Sequence, residues 1–210
     1  MDVQLAEEPV VGEDFTMIFD YTHCQIDETA KRLLMEVAKE TKIKEKIDAQ
    51  FKGTKINSTE ERPVLHTALR MSQFETLEVD GKNVVEEVHK VQERMQAFSK
   101  AIRSGDITGH TGKKLVNIVA IGIGGSFLGP EFVYEALKND KDCKKASDGM
   151  TLKFLANVDP IDFNRALDGL NVEETLFIIV SKTFSTAETM LNARSCRKHI
   201  LNHFKSDKDN

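Results

Sequence analysis

Two short segments concentrate the residue types able to do chemistry: Gly122-Ile123-Gly124-Gly125-Ser126 and Ser181-Lys182-Thr183-Phe184-Ser185-Thr186. Each follows an apolar, β-favouring run and precedes a stretch with helical spacing. A glycine-rich or hydroxyl-rich turn between a strand and a helix gathers backbone N–H groups at the helix N-terminus, a geometry that binds phosphate. In the first turn the glycines relax the backbone where the chain leaves the strand. Gly125 lets a ligand approach the main chain, and Ser126 is expected to offer its hydroxyl and an exposed N–H. In the second, Ser181, Thr183, Ser185 and Thr186 place four hydroxyls beside the Lys182 ammonium. A phosphate monoester carries close to two negative charges and several acceptor oxygens. Hydroxyls, amides and one ammonium are fitting donors. Ligands of open α/β sheets bind at the carboxyl ends of the strands, so two such turns at one edge can grip a single phosphate from two sides.

Other readings of the same residues compete. A dinucleotide fingerprint needs a third glycine where Phe127 stands. A nucleotide P-loop needs Gly-Lys five residues after its first glycine; Gly124 has Gly129 at that offset, but Pro130 replaces the lysine. For the glycine turn alone, a tight turn without a ligand is as good a reading. The hydroxyl cluster alone is an ordinary polar loop. The conjunction of the two favours a small phosphorylated ligand.

The elements that must position these turns follow from periodicity. Residues 1–25 read as irregular or weakly strand-like, with an apolar patch of Phe15, Met17, Ile18 and Phe19. A helix capped by Asp27 is expected to run to Ile47, and Pro63 is expected to begin another that carries Val64, Leu65, Ala68 and Leu69. Residues 80–82 form a turn. Val84, Val88, Val91, Met95, Phe98 and Ile102 then mark a core-facing helix ended by Ser104-Gly105. From residue 115 the pattern changes: strands at 115–121, 152–156 and 175–180 alternate with helices at 127–137, 160–167 and 187–204. The last helix should turn Met190, Ala193, Ile200 and Phe204 inward. Alternation of this kind implies βαβ units and a parallel sheet between helices, an α/β fold. We expect a helical segment over 1–110 and a three-layer α/β domain over 111–210, thin at three strands. The tail KSDKDN is expected to fray.

Composition excludes several classes. The 210 residues are 40% hydrophobic and 30% charged, with a net charge of −5 and no Trp, as befits a soluble domain without the basic face of a nucleic-acid binder. No apolar run is long enough to cross a bilayer, and the acidic start lacks a signal-peptide layout. Cys24, Cys143 and Cys196 are odd in number and far apart, which reads as reduced thiols in a cytoplasmic protein. His199 and His203 have a chelating spacing on a helix, but exposed histidines near a chain end are the better reading. His66 is expected to serve packing or hydrogen bonding, Arg62 and Arg70 to make ion pairs, and Lys144-Lys145 to be a solvated loop.

The residues also carry a family resemblance. Val119-Ala-Ile-Gly-Ile-Gly-Gly-Ser-Phe-Leu-Gly-Pro130 and Val180-Ser-Lys-Thr-Phe-Ser-Thr-Ala-Glu-Thr189 resemble the two phosphate-loop motifs of the glucose-6-phosphate isomerase family. Asn57-Ser-Thr-Glu-Glu-Arg-Pro-Val-Leu-His-Thr-Ala-Leu-Arg70 and Phe154-Leu-Ala-Asn-Val-Asp-Pro160 are similar to two further blocks, in the family order. The resemblance covers about residues 15–204 and is nearest in flavour to eukaryotic cytosolic enzymes.

The resemblance implies the first sugar-isomerase domain, with Gly125 and Ser126 at the substrate and Ser181, Lys182, Thr183, Ser185 and Thr186 binding the sugar phosphate. Ser185 stands where relatives often have Thr and keeps the hydroxyl; Ala187 replaces a frequent Gln. Glu188 lies within the motif, where stabilising the helix start is at least as good a role as one at the site. The implied reaction interconverts glucose 6-phosphate and fructose 6-phosphate through a cis-enediol, without metal or organic cofactor. A glutamate base, a histidine and a lysine perform it, the histidine coming from the partner in a homodimer. The resemblance assigns none of the three to this chain. The expectation is therefore a truncated first domain with the second domain absent. It is either the phosphate-binding part of the isomerase or a non-catalytic phosphosugar module of the same fold.

Overall fold

In a computed structural model of the chain, residues 7–11 and 16–204 are described. Two compact units, Met1–Gln92 and Glu93–Asn210, divide within one long helix. The first unit opens with an antiparallel hairpin of β1 (Glu7–Val11) and β2 (Thr16–Asp20). Phe15 of the expected patch and the tail at 205–210 lie outside the described residues. Asp27 caps α1 (Glu28–Glu40), its carboxylate accepting from the Ala30 N–H at 2.7 Å. The single helix expected to Ile47 is broken. The Thr41 hydroxyl turns back to the Val37 carbonyl at 2.8 Å, Lys42 is left-handed at φ 53°, and α2 (Ile43–Phe51) begins anew. A left-handed residue cannot continue a right-handed helix.

No α-helix follows Pro63; the segment yields only a 3-10 turn at Ala68–Arg70. Local bonds explain this. Asn57 Oδ1 accepts from the Thr59 hydroxyl and the Glu60 N–H, Asn57 and Arg62 exchange backbone bonds at 3.1 and 3.2 Å, and Glu61 is left-handed. An asparagine side chain that mimics the backbone competes with helix. Arg62 and Arg70 form no salt bridge among the described residues, and His66 is exposed, so the ion pairs and packing expected of them are not found. Asp80 (φ 51°) and Gly81 (φ 76°) make a primed two-residue turn between β3 (Glu78–Val79) and β4 (Lys82–Asn83). Ala68, Leu77, Val84 and Val85 form the core of this unit.

The long helix, α3 (Val84–Ser104), buries its stripe only at the ends, through Val84 and Val85 at one and Ile102 at the other. Val91, Met95 and Phe98 are exposed, contrary to a core-facing role along the whole helix. The division between the units falls in this stretch.

The second unit is built on three parallel strands in the order β6-β5-β7: β5 (Asn117–Ile121), β6 (Thr151–Leu155) and β7 (Thr175–Ile179). From β5 the chain enters α4 (Gly125–Leu137), then α5 (Lys141–Ala146). The sequence reading missed α5. Asp140 accepts from the Asp142 and Cys143 N–H groups and starts the helix, so Lys144 and Lys145 lie in a helical turn, not a loop. Between β6 and β7 lies α6 (Pro160–Leu167), capped by Asp159, with Pro160 in its first turn. After β7 comes α7 (Ala187–Phe204).

Alternation along the strands makes three layers. Val119, Ile121, Leu155 and Phe177 pack on one face with Phe163 and Ala166 of α6 and Cys196 of α7. On the opposite face Phe154 meets Phe127 and Tyr134 of α4 edge-on, at 5.4 and 6.2 Å. In α7 the deepest residues are Thr189, Asn192 and Cys196; Met190, Ala193, Ile200 and Phe204 are only half-buried. The helix is rolled by one position relative to its apolar stripe, with Cys196 against the packed sheet.

Candidate functional site

The strand order decides where the two turns meet. The chain leaves β5 toward α4 on one face and leaves β7 toward α7 on the other. Adjacent loops that diverge to opposite faces open a crevice at the carboxyl edge of the sheet. The ends of β5 and β7 are in register at Ile121 and Ile179, and the Val180 N–H closes the ladder on the Ile121 carbonyl at 2.8 Å. Gly125, Ser126, Ser181, Lys182, Thr183, Ser185 and Thr186 thus all lie at one edge, on neighbouring connections.

In the first turn each glycine has a distinct physical reason. A Cβ on Gly122 would sit 2.8 Å from the Ser126 carbonyl oxygen, Gly124 is left-handed at φ 56°, and a Cβ on Gly125 would meet nothing within 4 Å. The front of Gly125 is therefore open. Ser126 corrects one expectation: its N–H is not free but donates to the Ile123 carbonyl at 3.1 Å, because the turn folds back on itself. The N–H groups of Ile123, Gly124 and Gly125 have no acceptor among the described residues here.

The second turn is held mainly by its own hydroxyls. Ser181 and Thr186 are 3.3 Å apart, and Thr183 and Ser185 are 2.6 Å apart. Phe184 is left-handed at φ 54° and exposed, and Lys182 is also exposed. Glu188 stands in the first turn of α7, where its charge suits the helix dipole.

A third connection, within the block Phe154–Pro160, lies at the same edge, and its hydrogen bonds were not foreseen. After β6, Asp162 Oδ2 accepts from the Ala156 and Asn157 N–H groups at 3.0 and 2.9 Å, while Oδ1 pairs with Arg165 at 2.6 Å. Asn192 Nδ2 on α7 donates to the Asn157 carbonyl at 2.9 Å. A polar residue on the buried stripe of α7 was the available signal. A groove of about 450 Å³ lined by Phe127, Glu131, Lys153, Phe154, Arg165 and Asp168 contains no residue of either turn.

The opposite end of the sheet is closed by polar contacts. Glu173 accepts from Lys113 at 2.7 Å and from the Thr111 hydroxyl at 3.2 Å, and lies 3.4 Å from His203. The Lys113 ammonium first, then His203 and Thr111, hold the Glu173 carboxyl below its ordinary range. His199 stacks edge-on with Phe163 at 6.0 Å, so the two histidines have separate partners. No group of three or more His, Cys, Asp or Glu arranged to hold a metal occurs among the described residues, and none of the described helices is long and apolar enough to cross a membrane.

Comparison with known proteins identifies the fold. The family model described as phosphoglucose isomerase matches residues 20–210. The chain belongs to the phosphoglucose isomerase family. This isomerase-family chain is 49% identical over 185 residues to the cytosolic glucose-6-phosphate isomerase of Zea mays, covering 88% of the chain and 33% of that protein. It is 48% identical over 200 residues to the glucose-6-phosphate isomerase of Deinococcus radiodurans, covering 95% of the chain and 36% of that protein. The crystal structure of a glucose-6-phosphate isomerase from Chlamydia trachomatis superposes with a TM-score of 0.63 at 25% identity, covering 89% of the chain and 34% of the other. The chain thus spans about a third of the length of the curated relatives it matches. The α/β fold with a parallel sheet among helices is the one the isomerase family resemblance implies.

Proposed function

We propose that this chain forms the phosphate-binding part of a glucose-6-phosphate isomerase, a cytoplasmic enzyme of glycolysis and gluconeogenesis that interconverts D-glucose 6-phosphate and D-fructose 6-phosphate. The observation that carries the reading is the meeting of a glycine turn and a hydroxyl turn where the connections of β5 and β7 diverge. The open front of Gly125, with the Gly124 and Gly125 N–H groups beside it, suits a phosphate oxygen or a sugar hydroxyl. Ser126 contributes its hydroxyl. Ser181, Thr183, Ser185 and Thr186 exchange their mutual hydrogen bonds for bonds to phosphate, and Lys182 supplies the charge.

The chemistry is aldose–ketose isomerisation through a cis-enediol, with one carboxylate moving a proton between C2 and C1. It uses no metal or organic cofactor. We assign the base and its histidine and lysine helpers to no residue of this chain. In the whole enzyme they belong to the second domain and to a homodimer partner. Residues 1–110 act as the helical support of a sugar-isomerase domain over 111–210. The names of the relatives support this reading, several of them cytosolic isomerases.

Isothermal titration tests it. Fructose 6-phosphate should bind saturably and fructose should not, because the phosphate carries the recognition. Binding without turnover in a coupled assay favours the second reading, a phosphosugar-binding module of the same fold. Micromolar binding of ATP or NAD with no response to sugar phosphates would overturn both.

A further inference from the structure

Within the hydroxyl turn Ser181 pairs with Thr186 and Thr183 with Ser185. The two ends of the turn are held by the fold. One end is the ladder bond from Val180 to Ile121. The other is the first turn of α7, where the Thr186 carbonyl accepts from the Met190 N–H at 3.0 Å. The position of the turn therefore follows from how α7 is docked at its N-terminal end.

That docking has a specific polar contact. Asn192 is 6% exposed and lies less than two helical turns after Thr186. Its Nδ2 donates to the carbonyl of Asn157, 35 residues away in the connection after β6. That connection is itself rigid: Asp162 takes the N–H groups of Ala156 and Asn157, and Asn157 Oδ1 takes that of Asp159 at 3.1 Å. Since β5 lies between β6 and β7, the bond ties α7 across the carboxyl edge to the connection of the far strand. The Asn192 amide is buried while Asn157 is exposed, so parting the two would strand the amide away from water, a cost a surface bond does not carry.

We infer that Asn192 is the positioning residue of the hydroxyl turn. Its bond to Asn157 fixes the start of α7 and so the placement of Ser181–Thr186 against the glycine turn. The inference rests on the phosphate-site reading only for its effect on ligand, not for its effect on the turn.

Three versions of the chain test it: unmodified, Asn192→Asp and Asn192→Leu. The Asn192→Asp change keeps the volume and, at neutral pH, replaces the donor by a charged acceptor facing the Asn157 carbonyl. When protonated at acid pH, that carboxyl can donate again. Amide exchange is read at residues 181–187, each variant against the unmodified chain at the same pH. That ratio removes the titration of Asp159 and Asp162 in the facing connection. Fructose 6-phosphate is the binding probe. At neutral pH we expect roughly tenfold faster exchange in 181–187 and roughly tenfold weaker binding for both variants. Acidification should return Asn192→Asp, but not Asn192→Leu, toward the unmodified chain. A purely volumetric role of Asn192 would leave Asn192→Leu, uncharged and of similar size, with the exchange of the unmodified chain at neutral pH, and that result would overturn the inference, because burying the Asp charge disturbs the site whatever the role. Unchanged exchange in Asn192→Asp at neutral pH, or exchange raised equally at every pH, would also overturn it. If Asn192→Leu fails to fold, Asn192→Met takes its place as the uncharged variant. If the unmodified chain binds no sugar phosphate while the exchange pattern is as expected, the ligand reading falls and the positioning role stands.

Discussion

The two ends of the three-stranded sheet handle polar groups in opposite ways. At the amino end, Glu173 gathers Lys113, Thr111 and His203 around one carboxylate, and the charges close on each other. At the carboxyl end, neutral hydroxyls pair loosely among themselves, two glycine N–H groups lack acceptors among the described residues, and the space before Gly125 is empty. The first arrangement is complete without a ligand. The second leaves donors that an anion would complete under the proposed function. The contrast teaches that a polar cluster reads as a site when its donors outnumber its acceptors, not when it is merely polar.

The strongest way to break the comparison is to remove the charge at the carboxyl end. Lys182→Ala should weaken fructose 6-phosphate binding by about 1.5–3 kcal/mol, the range of a hydrogen bond to a charged group, and leave the melting temperature unchanged. Equal affinity in titration would take Lys182 out of the site.

Two glycine substitutions then separate shape from recognition within the glycine turn. Gly122→Ala should destabilise the fold by about 1–3 kcal/mol in a denaturant melt, because its Cβ would press on the Ser126 backbone. Gly125→Ala meets open space, so its stability should stay within about 0.5 kcal/mol, while ligand affinity falls because the methyl occupies the approach to the main chain. A Gly125→Ala protein with full affinity would show that no ligand comes near that backbone.

The third test uses the buried thiol of α7, which packs in the core against the sheet. Burial pushes Cys196 up to about 12, whereas Cys24 is exposed. A thiol reagent near neutral pH should modify Cys24 first and reach Cys196 only when α7 opens. Sugar-phosphate binding should slow the Cys196 reaction further, since it stabilises the start of that helix. The folded state keeps the Cys196 proton to higher pH than an unburied thiol would, so its contribution is present below the ordinary thiol range and is lost as pH rises toward about 12. Reaction of Cys196 as fast as Cys24 would mean that α7 is not docked as described.

The smallest effect belongs to the closed end. Glu173→Gln should lower the melting temperature slightly and leave ligand affinity untouched. Its carboxyl titrates below the usual carboxylate range, so its contribution is present above the ordinary value and lost as pH falls through the lowered one. A change in sugar-phosphate affinity would show that the two ends are coupled.

How much of this was legible in the sequence depended on the kind of signal. Asp159 followed by Pro160 placed α6 correctly, and the apolar run ending at Ile179 placed β7, because caps and hydrophobic runs are local. The helix expected after Pro63 failed because the Asn57 side chain and the bridge to Arg62 captured the segment into turns. The break at Lys42 was invisible to periodicity, since apolar spacing continues through it while the backbone does not.

The candidate site divides along the same line. The sequence by itself marked the residues proposed to hold a phosphate, the glycines of 122–125, the hydroxyls of 181–186 and Lys182, because donor chemistry belongs to the residue types. It also determined the family, through blocks read in order along the chain. Only the tertiary structure decided that the Ser126 N–H is spent inside its own turn, that Gly125 faces open space, and that Asn192 reaches across the sheet edge to Asn157. These depend on which strand lies in the middle and how far α7 is rolled. Both are set by packing between segments distant in sequence, which no local pattern encodes.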